Sequence, residues 1–424
     1  AAGRAAAEEA AAGIGDRGAV AVTHARDDRL RDGDTVLITA MDDLISRFWA
    51  DSFERAGHPA VLLETTAAAL NTGYRYASGG ECMPLAAIVG AAVERVRAQR
   101  LDPGKTFFFM PTIPMACNMP QFPVFADMAF RAAGMGGIRI GRINFMALGD
   151  SLPPALAIKL LESYIVACIL YKLQFRIRPY ECSRGDTDTA FAAARDLVSA
   201  SLREGKELRS ALARAAEFFR AVPRDESGGR KPRIALLGDL YVKYNTVVNE
   251  RIHSTVESLG GELLVSSMSE YALHFFDIGI RQYGEDDRSY RLLRTIEGRY
   301  ESIVKDLLAE QAEPDFAFCA RLMEEYGLRH YLPGETAINM GRALALCRSG
   351  NVEAIIHANP LFCCPGVVTA SLFRKIQEDF GVPIIDIFYD GSGNPNRVLI
   401  PHLHYLRKGQ SRGPRGTDQS PAST

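Results

Sequence analysis

Three cysteines stand where a thiolate could be put to chemical use: Cys82 in Glu81-Cys82-Met83-Pro84, Cys117 in Ala116-Cys117-Asn118-Met119-Pro120-Gln121, and Cys363 in Phe362-Cys363-Cys364-Pro365. A proline closely follows each. Proline lacks an N–H, fixes its own φ and biases the preceding residue toward extended backbone, so it stiffens a loop and can open the next helix. A thiolate held there lies near the unpaired N–H groups of a helix start, which favour negative charge. Three thiolates meeting at one point would suit an iron–sulfur cluster, whose electron-rich sulfur is tuned by backbone N–H donors. Spacing alone does not bring them together, since they lie in separate segments and no Cys-x-x-Cys pair occurs. Three small core thiols are the competing reading, because free cysteine is among the most buried residue types. Cys168, Cys319 and Cys347 lie in apolar runs and read as core residues, whereas Cys182 has no obvious place.

The elements that must position these loops follow from hydrophobic patterning. Thr35 to Thr39 reads as a strand, Leu44 to Phe53 as a helix and Ala60 to Leu63 as a strand; Arg233 to Gly238, Val247 to Leu259 and Leu263 to Val265 repeat that order. Further buried strands are expected at Thr106 to Met110, Ile138 to Ile143, Ala354 to His357 and Pro383 to Phe388. Strands alternating with helices imply parallel sheets, so the fold class is α/β with two lobes. Residues 1–31 read as a flexible tail or linker, 32–189 as the first lobe, 190–232 as a helical connector and linker, 233–407 as the second lobe and 408–424 as a disordered tail.

A chain of 424 residues exceeds the ~250–300 at which one core usually stops growing. With 49 Lys and Arg against 51 Asp and Glu, it has no global attraction toward nucleic acid or anionic lipid. The most apolar helical stretch, Ala155 to Phe175, is interrupted by Lys159, Glu162 and Lys172 and reads as a buried or docking helix, so no membrane span is expected. No secretory signal pattern is visible, which makes the cytoplasm the default expectation. Eight cysteines are too sparse for a disulfide scaffold in a chain of this length.

Other motifs carry less. Arg178-Pro179-Tyr180-Glu181 could orient the cysteine loops or bind an anion, or could be a structural Arg/Glu pairing. Gly238-Asp239 follows a strand but lacks both phosphate-loop and full dinucleotide patterns, which disfavours ATP hydrolysis by this chain. His253, His402 and His404 show no zinc-type spacing with cysteine, and no nucleophile-elbow serine occurs.

Taken in order, Gly79-Gly80-Glu81-Cys82-Met83-Pro84, Cys117-Asn118-Met119-Pro120-Gln121-Phe122, Arg178-Pro179-Tyr180-Glu181, Gly238-Asp239-Leu240-Tyr241-Val242-Lys243 and Asn359-Pro360-Leu361-Phe362-Cys363-Cys364-Pro365-Gly366 resemble the 2-hydroxyacyl-CoA dehydratase superfamily, in its acyl-CoA dehydratase activase-related branch. Gly334-Glu335 and Tyr389-Asp390-Gly391 fit the same pattern. The resemblance covers about Thr35 to Leu406. It implies two Rossmann-like lobes with parallel sheets, connecting helices and an iron–sulfur cluster in the inter-lobe cleft. Its ligands would be Cys82 and Cys117 from the first lobe and Cys363 from the second, with adjacent Cys364 as the alternative to Cys363. The expected cofactor is a 4Fe-4S cluster with one iron open to water, a substrate oxygen or sulfide; a double cubane would recruit Cys319 or Cys347. The implied partner is an ATP-dependent activator that delivers low-potential electrons, in a homo- or hetero-oligomer, for reductive or radical chemistry on an acyl-CoA or another small molecule. No catalytic residue is assigned. A non-catalytic electron-transfer or scaffold module is the alternative.

Overall fold

The computed structural model describes residues 29–39, 41–113, 117–144, 148–284, 286–308, 313–329, 332 and 334–410. Of the two expected tails, residues 1–28 and 411–424 lie outside the described residues, while 408–410 continue the last helix.

The first sheet holds β1 (Thr35–Ile38), β2 (Ala60–Leu62), β3 (Thr106–Thr112) and β4 (Arg139–Asn144), all parallel, in the order β2-β1-β3-β4. The second holds β5 (Arg233–Gly238), β6 (Glu262–Val265), β7 (Ala354–Pro360) and β8 (Ile384–Tyr389), also parallel, in the order β6-β5-β7-β8. The two lobes therefore repeat one Rossmann-like plan. Central strands covered on both faces need continuous apolar runs rather than alternation. Thr106-Phe107-Phe108-Phe109-Met110 supplies one, and every residue of β5 and β7 is buried.

Around the first sheet pack α1 (Asp43–Arg55), α2 (Ala67–Tyr74), α3 (Met83–Gln99) and α4 (Phe122–Ala132). Asp42 caps α1, its side chain accepting from the backbone N–H groups of Leu44 and Ile45 at 2.8 Å each. Helices α2 and α3 touch backbone to backbone: a Cβ on Gly90 would lie 1.8 Å from the Ala69 carbonyl oxygen, and one on Gly73 1.8 Å from that of Ala86.

The long helix α5 (Pro154–Ile177) joins the lobes. It is long and apolar enough to cross a membrane despite its charges, yet 67% of its most apolar stretch is buried inside the protein. On the first-lobe side the Trp49 indole donates to the Leu160 carbonyl at 3.2 Å; on the other, Lys172 reaches Glu301 at 3.3 Å and Glu313 at 3.4 Å. Helices α6 (Asp186–Glu204) and α7 (Leu208–Arg220) cover most of the stretch expected to act as a connector. Rather than spanning open space, α6 lies on α1, where Arg203 and Ser199 both bind the Asp51 carboxylate.

In the second lobe, α8 (Leu240–Tyr244) and α9 (Ile252–Ser258) lie between β5 and β6. The crossover to β7 carries α10 (Met268–Tyr283), α11 (Arg288–Glu301), α12 (Phe316–Glu325) and α13 (Thr336–Ser349). Helices α14 (Cys364–Phe380) and α15 (Leu399–Gln410) follow. One apolar core runs through both lobes, joining Phe108 and Phe130 to Leu236 and Ile356; a second, smaller cluster surrounds Phe373 and Met340.

Candidate metal centre

In open parallel α/β sheets the carboxyl ends of the strands form the binding edge. Here the residues just beyond those ends in both lobes line one cleft. Cys82, Cys117, Cys363 and Cys364 all line it, together with Thr39, Asp239 and Glu335.

Each cysteine is set by a local start of helix. Cys82 immediately precedes α3 in extended backbone (φ −67°, ψ 146°), buried, with its side chain making no capping bond. Cys117 is half-buried, and its sulfur accepts from the Met119 backbone N–H at 3.2 Å. Cys363 precedes α14, and its buried sulfur accepts from the Gly366 N–H at 3.3 Å. That approach needs glycine at 366, since a Cβ there would lie 2.7 Å from the Asn359 Cγ. The turn between β7 and α14 passes through Phe362 at φ +64°, a left-handed conformation uncommon for a bulky residue. Cys364 is exposed at the rim, so of the adjacent pair it is Cys363 that has the buried, N–H-bonded sulfur.

Burial dominates the electrostatics. Loss of hydration pushes the Cys82 and Cys117 thiols up to about 12 and Cys363 further still, with repulsion from Asp239 and Glu335 added at all three. Thiolates in such a place need a cation beside them, and a metal ion supplies one.

The carboxylates are functional candidates that cysteine spacing does not reveal. Asp239 follows β5 and caps α8, accepting from the Val242 N–H at 2.8 Å; burial raises its carboxyl to about 6. Glu335 accepts from the Leu240 N–H at 2.9 Å, and burial plus the neighbouring Asp239 charge hold its carboxyl well above the usual range. One ligand atom from each of Asp239, Glu335 and Cys363 lies within 4.8 Å of the others, a group able to hold a metal ion. In the sequence the pair is marked by Gly238-Asp239 after a strand and, for Glu335, by the family resemblance at Gly334-Glu335 upstream of the last cysteine.

The turn carrying Asp239 is pinned from below. Gly238, at φ +116°, could not carry a Cβ, which would lie 2.1 Å from the Ala358 carbonyl oxygen. The Gly238 carbonyl accepts from the Tyr271 hydroxyl at 2.8 Å, and the buried Lys243 ammonium donates to that hydroxyl at 2.7 Å and to Ser266. Across the lobes, Thr65 bonds the Tyr241 hydroxyl at 2.9 Å and accepts from Asn245 at 2.9 Å, tying the wall of the cleft.

The remaining candidates sit elsewhere. Cys319 packs against Gly341 between α12 and α13, Cys347 is buried in α13 and Cys168 is buried in α5; none of these lines the cleft. Cys182 is exposed. Arg178 forms a two-pronged pair with Glu257 at 2.7 and 2.9 Å, Tyr180 donates to Glu262 at 2.7 Å, and Glu181 accepts from Gly185 and Thr187. That motif therefore ties α5 to the second lobe and opens α6. His253 is buried against Phe175.

Compared with protein-family models and with curated proteins, the sequence matches none.

Proposed function

We propose that this chain is an iron–sulfur protein of the 2-hydroxyacyl-CoA dehydratase type, its cluster held by Cys82, Cys117 and Cys363. In this reading it takes low-potential electrons from a separate ATP-dependent activator and uses them in reductive chemistry on an acyl-CoA or another small molecule. One observation carries the proposal: three cysteines from separate segments and from both lobes line a single cleft, two of them with sulfurs already accepting backbone N–H groups. Such donors are what tune an electron-rich cluster. A bound cluster would supply one-electron transfer, which side chains cannot perform. The chain's own part is to hold the thiolates and to exclude water with Met41, Ile88, Met110, Phe122 and Leu240, which line the same cleft. Free cysteines suit a reducing compartment such as the cytoplasm.

The test is anaerobic. The full chain is purified without oxygen, reduced with a one-electron donor and offered 2-hydroxyacyl-CoA thioesters. The expected result is a reduced-cluster EPR signal that the thioester perturbs, with 2-enoyl-CoA formed. A signal indifferent to thioesters, without product, would make the chain an electron-transfer module. Absence of both signal and bound iron would end the proposal.

A further inference from the structure

The two lobes repeat one strand order, so their cleft-lining residues can be matched by position. Cys117 follows β3 and Cys363 follows β7. Cys82 opens α3, the helix leading into β3, and Glu335 opens α13, the helix leading into β7. Thr39 follows β1, and Asp239 follows β5. At two of three matched places, the second lobe therefore offers a carboxylate where the first offers a thiol or a hydroxyl.

Those carboxylates are placed as ligands would be. Both accept from backbone N–H groups of α8, Glu335 from Leu240 and Asp239 from Val242, which fixes their direction, and an oxygen of each lies within 4.8 Å of the Cys363 sulfur. The nearby Lys243 ammonium donates to Ser266 and Tyr271 rather than to either of them. Buried carboxylates are normally paired or bound to a metal. Independently, the fully buried Thr39 hydroxyl lines the same cleft and has no hydrogen-bond partner, a further polar group with an unmet contact there.

We propose that Asp239 and Glu335 supply the ligand for the metal position that the three cysteines leave open, beside Cys363. This rests on the iron–sulfur reading above. The centre is then asymmetric: thiolates alone from the first lobe, a thiolate and carboxylates from the second. Oxygen ligation sets that iron apart from the three held by thiolate, so loss of the carboxylates should release it first.

The experiment compares anaerobically purified wild type, the double variant Asp239→Asn with Glu335→Gln, and Cys82→Ala. Iron and acid-labile sulfide are counted before and after mild oxidation, with EPR on the same samples. The amides keep the oxygens that cap α8, and thermal unfolding checks that the fold is retained. The wild type should retain about four irons per cluster, while the double variant should fall to about three with sulfide unchanged and a three-iron EPR signal. Cys82→Ala should lose iron and sulfide together. A double variant with wild-type iron and EPR overturns the inference and leaves the cluster reading intact; a wild type without iron and sulfide overturns both.

Discussion

The two lobes share a strand order and differ in what holds them together. Behind the first sheet, Trp49 and Phe53 meet the Phe109 ring edge-on, with centroids 5.4 and 5.0 Å away, and Phe108 meets Phe130 at 5.3 Å. Behind the second sheet the chain buries charge: Glu313 pairs with Arg342 and with Lys172 of α5, and Glu270 and Glu297 lie within the same field. Burial and the Glu313 charge push the Glu270 carboxyl up to about 8. Apolar packing places a strand end wherever the volumes fit. A charge network also fixes direction, because each member must face its partner. The same contrast reaches the cleft, where the lobe with the aromatic interior offers sulfur and the lobe with the charged interior offers sulfur and carboxylates.

Five substitutions test this contrast. The largest effects belong to the two interiors. Arg342→Met strands Glu313 with Lys172 as its remaining counter-charge and should cost about 3–5 kcal/mol. Phe108→Ala should cost about 3–5 kcal/mol by leaving a cavity. Urea unfolding measures both, and the contrast predicts that only the Arg342 loss depends steeply on pH. Next, Gly90→Ala drives a methyl into the Ala69 carbonyl and should cost about 1–3 kcal/mol, loosening the start of α3 where Cys82 sits.

A smaller effect concerns acid. Burial, aided by the Arg178 charge, lowers His253 to about 3. The unfolded chain takes up its proton near pH 6.5 and the native one does not, so between those values stability falls as pH falls, by about 1.4 kcal/mol per pH unit. Replacing His253 with Leu should remove that part of the slope; an unchanged slope would assign acid sensitivity to the carboxylates instead. The smallest change is Arg374→Ala, which removes an exposed pair with Glu378 and should alter stability by less than about 0.5 kcal/mol.

Much of the scaffold was legible in the sequence. The run Arg233 to Gly238 is a strand with those bounds, because its apolar residues need burial on both faces and Gly238 ends it at a backbone contact. Strand β7 runs on to Pro360, beyond the His357 at which it was expected to stop. Polar Asn359 broke the apolar pattern although it is buried beneath Gly366. The crossover helices α10 to α13 were not foreseen in detail, since Glu270, Glu297 and Arg342 are buried charges whose partners lie far away in sequence. The stretch 190–221, helical in its pattern, is helical, and its alanines serve packing: Ala211, Leu212, Ala215, Ala216 and Phe219 form a buried face of α7. At the cleft, cysteine is rare enough, and followed closely enough by proline, to mark Cys82, Cys117 and Cys363. Asp239 and Glu335 are two among 51 acidic residues, and only the fold sets them beside a thiol.

The central claim is that thiols from both lobes together bind one iron–sulfur centre. Iron and acid-labile sulfide counted on the full chain, purified without oxygen, test it most directly, alongside single Cys82→Ala, Cys117→Ala and Cys363→Ala variants. The account predicts iron and sulfide in near-equal amounts in the wild type and a large loss of both from each variant, whichever lobe is altered. Wild-type protein free of iron and sulfide, or a centre that survives removal of the cysteines of one lobe, would contradict it.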